Sequence, residues 1–181
     1  MEPFDPAWLG YMSAQELSER ACLLMPCQIE GMSVWFRNGT FFLWRAVIIA
    51  LCHKRDTQNF DLSLTALVDY LRLERIEDLF IEGFHIALND PENAWPDPYA
   101  LIKDYLDMLP GYSIPGLLRR HQMSLPHDIP EPLRDLLIVK RQEPGHGALE
   151  QHSYWLGYLL DPLMALKQRE AEQGNQSKKQ L

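Results

Sequence analysis

Apolar residues recur at intervals of three and four along almost the whole chain, and the strict alternation of a half-buried strand never lasts beyond a few positions. The pattern predicts an all-α protein. Ser13 followed by Glu16 fits a capping box, in which each side chain takes up a free backbone donor, so a first helix runs from Ala14 to about Leu24 and stops at Pro26. After Asn38-Gly39 a second helix extends from Thr40 to about Lys54. It is apolar on nearly all sides, through Phe41, Phe42, Leu43, Trp44, Val47, Ile48, Ile49 and Leu51, and such a helix belongs at the centre of a bundle.

Ser63 caps a third helix, Leu64 to about Leu71, and a fourth follows from Glu74 to Leu88 with Gly83 as its weak point; the two form a helical hairpin. Asp97-Pro98, a cap followed by proline at the first helical position, opens a fifth helix that ends at Leu109 before Pro110-Gly111. From Tyr112 to Pro132, the prolines at 115, 126, 130 and 132 predict a long surface connection with room for a short turn around Leu117 to His121. A sixth helix spans Glu131 to about Arg141. A seventh runs from Ala148 to Glu172, kinked at Pro162. The expected architecture is an irregular bundle of about seven helices formed by residues 13–172. A lead-in, residues 1–12, precedes it, and a disordered polar tail, residues 173–181, follows.

Composition narrows the function. A chain of 181 residues that is 46% hydrophobic can build one sizeable core. Its 17 Lys and Arg against 25 Asp and Glu give a net charge of -8, which excludes a protein that coats nucleic acid everywhere. Three cysteines at irregular spacing make no disulfide framework and suit a reducing compartment. The longest apolar stretch, Phe41 to Cys52, is interrupted by Arg45 and falls short of the roughly 20 residues a bilayer needs. The start, MEPFDPAWLGYM, lacks the basic flank of a signal peptide. The expectation is a cytoplasmic chain without membrane contact.

Candidate chemistry is sparse. No glycine precedes lysine in a GxxxxGK loop. Cys22 and Cys27 flank Pro26 without a second pair of ligands, and they read, with Cys52, as core cysteines. His146 and His152 flank Glu150, but a metal would need another ligand from elsewhere. The sequence therefore assigns no catalytic residue, metal or cofactor, and the chain reads as non-enzymatic. A small helical enzyme built on converging Glu150, His152 and His146 is the remote rival.

Charge is uneven along the chain. Lys54 to Asp107 holds 12 acidic residues against five basic ones, whereas Met108 to Leu181 is nearly balanced. Basic side chains cluster at Arg119, Arg120 and His121 in the long connection and at Lys140-Arg141. These five are the candidate contacts with a partner or with DNA. The plainer alternative makes Arg119 and Arg120 solvated and lets Lys140-Arg141 complement a helix C-terminus. Of the aromatics, Trp35, Phe36, Phe41, Phe42 and Trp44 read as core, and Trp8, Tyr11 and Trp95 as lids or interface anchors.

Four segments, in order, carry a resemblance. They are FFLWRAVIIALCHKRD (Phe41 to Asp56), DLSLTALVDYLRLERIEDL (Asp61 to Leu79), DYLDMLPGY (Asp104 to Tyr112) and EQHSYWLGYLLDPL (Glu150 to Leu163). Together they resemble the all-α domain of type IV secretion coupling proteins, the hexameric motor ATPases of bacterial conjugation and effector export. Its pattern is a helix with an R-A-x-x-x-A-L core and a following R-D, an L-x-x-Y-L helix pair, a Y-L-x-x-L-P-G-Y helix end and a Q-H-G-Y-type segment. Ser153 stands where glycine is expected, and Ser113 to Pro144 matches nothing in the pattern.

The resemblance implies a substrate-recognition domain excised from a motor whose inner-membrane anchor and nucleotide site lie in other sequence. It implies relaxosome or secretion-substrate proteins as partners, with weak contact to single- or double-stranded DNA. The alternative is a stand-alone helical adaptor or chaperone-like interaction protein of a secretion system.

Overall fold

A computed structural model of the chain describes residues 4–25, 34–90, 95–123, 133 and 147–178, with side chains up to residue 172. Among these residues every regular element is helical, so the fold is an all-α irregular bundle. Asp5 caps a 3-10 turn, Pro6–Gly10, that sinks Trp8 and Leu9 into the core. Helix α1 (Ala14–Glu19) starts on the Ser13/Glu16 capping box that the sequence predicts, and continues as a 3-10 turn, Arg20–Leu23. Then come α2 (Val34–Gln58), α3 (Leu64–Tyr70, capped by Ser63), α4 (Leu73–Asn89), α5 (Asp97–Met108), α6 (Ile114–Arg120) and α7 (Ala148–Lys178).

The long helix α2 is the centre, packed on α1, α5 and α7. Trp44 is wholly buried and donates its indole N–H to the Leu17 carbonyl at 3.1 Å. Arg55 closes the other end: its Nη1 donates to the carbonyls of both Leu9 and Met12 at 2.8 Å, and its Nε pairs with Asp56 at 2.7 Å. One guanidinium thus satisfies two backbone acceptors of the lead-in, and Phe4, Trp8 and Leu9 belong to the same core as the helices.

Asp97 is the first residue of α5 and not its cap, which is Pro96, so Pro98 falls at the second helical position; three further elements differ from the sequence expectation. First, α2 begins at Val34, six residues before Thr40, and runs straight through Asn38-Gly39. Gly39 is a packing residue here: a Cβ on it would overlap the Trp155 indole of α7. At 25 residues, and with a most apolar 18-residue window of mean hydropathy 1.2, α2 does reach the length and composition of a membrane span, which the shorter stretch did not. Half of that apolar window is enclosed by the protein itself, as the core helix of a bundle must be.

Second, the expected surface connection carries α6. Pro115 falls in the first turn, where it costs no hydrogen bond, and Ser113 accepts the Gly116 N–H at 3.1 Å. Ile114, Leu117 and Leu118 are buried. The expected sixth helix, Glu131 to Arg141, lies outside the described residues except Leu133, which is helical and buried.

Third, α7 keeps helical backbone to Lys178, beyond the Glu172 end set by the pattern and into the segment expected to be a disordered tail. Pro162 lies inside it, and its missing N–H leaves the Tyr158 carbonyl without a helical donor.

Candidate functional site

The basic end of α6 is built by two neighbours. Glu77 on α4, mostly enclosed, accepts from Arg120 Nη2 at 2.6 Å and from the Tyr112 hydroxyl at 2.7 Å. Burial, then the hydrogen bond to Glu77 and its charge, push the Tyr112 hydroxyl well above its ordinary range. Arg120 is therefore engaged within the fold. Arg119 is exposed beside it, and His121 is the exposed C-cap of α6. Three of the five sequence candidates thus share one helix end. Lys140 and Arg141 lie outside the described residues.

A second polar cluster, on α7, is enclosed. His152 is 2% exposed, and its Nδ1 is 2.7 Å from the hydroxyl of fully buried Tyr105 on α5. Burial holds the imidazole down at about pKa 4, although the Glu74 charge and the Leu71 backbone favour the charged form. The ring is neutral at pH 7. Among the described residues the Gln151 amide nitrogen and the Trp155 indole nitrogen have no hydrogen-bond partner, and His152 Nε2 has the Leu71 backbone near it but outside hydrogen-bond geometry. His152 faces Tyr105, and its nearest aromatic contacts are structural. His146 lies outside the described residues, and no cluster of three or more potential metal ligands occurs among those described.

Sequence reasoning missed a third cluster. Glu82 on α4 receives the Lys54 ammonium, the Gln58 amide at 2.8 Å and the Tyr99 hydroxyl at 2.7 Å. Burial would raise this carboxyl, but the three hydrogen bonds and the Lys54 charge outweigh it and hold the group below its ordinary value. The available signal was the spacing of Lys54 and Gln58, four apart on the last turns of α2 and so on one face. The arrangement ties α2, α4 and α5 together.

Cys52 is buried, and burial pushes its thiol up to about 11. With Cys22 and Cys27 replaced by serine, the folded protein should leave a thiol reagent untouched at pH 8 and react fully after denaturation. Rapid reaction of the folded form would contradict the buried placement.

Aromatic placement divides the expected core. Trp44 and Phe42 pack inward, whereas Trp35 is 52% exposed while resting its ring 5.4 Å from Trp155. Val34, Leu149 and Tyr154 are also exposed where α2 and α7 begin. Trp8 is core, Trp95 is a half-buried lid 5.0 Å over Phe80, and Tyr11 is exposed.

The surface also has a groove of about 840 Å³ between α3 and α7, floored by half-buried apolar side chains and rimmed by Asp61, Asp69, Arg72 and Lys167. Compared with protein families, curated proteins and solved structures, the chain matches no family model, no curated protein and no solved structure.

Proposed function

We propose that this chain is a non-catalytic recognition module, the all-α domain of a conjugative coupling protein, which binds relaxosome or secretion-substrate proteins and touches DNA weakly. The observation that carries the reading is that the four resembling segments meet around Tyr105, against which Phe42 of the first segment stacks at 6.4 Å. Tyr105 of the DYLDMLPGY segment is hydrogen-bonded to His152 of the EQHSYW segment. Leu71, from the second segment, faces the same imidazole, and Trp155 lies against Tyr105 at 5.7 Å. The residues that carry the resemblance are largely those that join the helices of this bundle, which supports reading them as one unit.

DNA contact would come from Arg119 and His121, with Arg120 shared with Glu77. Two or three neutralised phosphates predict an affinity that falls about 10- to 40-fold between about 50 and 200 mM salt, from a weak start near 10⁻⁵ M. Fluorescence anisotropy against labelled single- and double-stranded oligonucleotides measures this. Tight binding that ignores salt would overturn the reading.

The exposed apolar end formed by Val34, Trp35, Leu149 and Tyr154 favours the second reading, a free-standing adaptor that self-associates. Light scattering separates the two: a monomer across the concentration range supports the domain, and a concentration-dependent dimer supports the adaptor.

A further inference from the structure

We propose that the groove between α3 and α7 is a docking site for a single amphipathic helix of a partner protein, about three turns long, with an acidic residue that meets Lys167. The proposal stands whether or not the chain belongs to a conjugative motor, because it rests only on this surface.

The floor of the groove is Phe60, Val68, Tyr70, Leu156 and Leu160, all half-buried. Phe60 and Tyr70 hold each other edge to face at 5.5 Å, so the floor is shaped before anything binds. Leu156 and Lys167 are 11 positions apart on α7. At 1.5 Å per residue that is about 16 Å, or three helical turns, which leaves room for apolar anchors at i, i+4 and i+7, spanning about 10 Å, with the charged residue one turn further on. The described elements are all helices, so no strand edge is offered to an extended peptide. A trough between two helices instead accepts the ridge of a third.

The rim charges choose the partner's chemistry. Asp69 is already committed, to Arg75 at 2.8 Å and to Arg72 at 3.5 Å. Lys167 is half-buried and, among the described residues, has no carboxylate within ion-pair distance. Asp61 lines the same groove and is exposed, so solvent screens it more than the partly enclosed ammonium. A carboxylate on the incoming helix therefore gains most at Lys167. A second copy of this chain with the two grooves stacked on the two-fold axis would supply no ridge to either, and any other self-pairing is read by the dimer outcome of the test below.

The test uses the full chain and two fluorescein-labelled helical peptides of about 14 residues, with leucines at i, i+4 and i+7, that differ only in one terminal residue, Glu or Lys. The Glu peptide should bind about tenfold tighter than the Lys peptide, and Lys167→Glu should reverse that order. Leu160→Arg should abolish binding of both, with an unchanged circular dichroism spectrum. Lys103→Glu, which changes charge outside the groove, should leave both affinities where they were. Three results would overturn the proposal: no binding of either peptide, an equal response to Lys167→Glu and Lys103→Glu, or a dimer dispersed by Lys167→Glu.

Discussion

Alanine at position 39 should cost the protein about 2–3 kcal/mol of stability, where helix propensity alone predicts a gain of about 1 kcal/mol. The opposite signs make the experiment decisive. Gly39 lies inside α2, and the added methyl would fall within the Trp155 indole. That ring has nowhere to retreat, being fully buried with Tyr105 on one side at 5.7 Å and Trp35 on another at 5.4 Å. Its backbone is close as well: the Trp155 carbonyl lies 3.4 Å from Thr40 Oγ1, whose single proton it shares with the nearer Phe36 carbonyl at 3.0 Å. Gly157 is the control: it too is helical, no atom lies within 4 Å of its would-be Cβ, and alanine there should gain about 0.5–1 kcal/mol. Urea denaturation of the two variants reads both effects. A Gly39→Ala protein as stable as the parent would mean that α2 and α7 do not cross at this point.

Acid should weaken the fold well before most carboxylates titrate. The His152 imidazole has a folded pKa of about 4 against an ordinary value of 6.5. The folded state therefore prefers the neutral ring, while the unfolded chain takes up the proton. Stability from this group is complete above pH 6.5 and is lost as pH falls toward 4, by about 3 kcal/mol in all. Glu82, whose carboxyl is held below its ordinary value, extends the loss to lower pH. Denaturation midpoints between pH 7 and 4 measure the first step, and His152→Gln should flatten that window while sparing the part below it. A wild-type profile level from pH 7 to 4.5 would contradict the buried, neutral placement.

Much of this bundle was legible from local signals. The capping box at Ser13, the Ser63 cap and the all-round apolar run of α2 each depend on neighbours within a few residues, and each is where the pattern places it. The sequence misled where a distant contact decides. Asn38-Gly39 reads as a break because glycine favours turns, yet here it is the residue small enough to lie under Trp155, more than a hundred positions away. Pro115 reads as part of a loop because prolines follow it, yet at a first helical turn it starts α6.

The candidate site was partly legible. The Arg119–His121 cluster does share one surface, but the Glu77 carboxylate that occupies Arg120 comes from another helix, and nothing local announces it. The same holds for the Glu82 cluster, and for the α3–α7 groove, which exists only once two helices far apart in sequence are side by side.

The position of α7 bears on how the chain is made. Its contact with α2 closes the core, yet about 90 residues separate the end of one helix from the start of the other. On a ribosome, α2 emerges long before α7 can be translated, and at about 5–20 residues per second the gap lasts roughly five to twenty seconds. Throughout that interval the flank around Gly39 and Thr40 is bare, so the nascent polypeptide passes through a stage in which its greasiest segment is left without the helix that covers it.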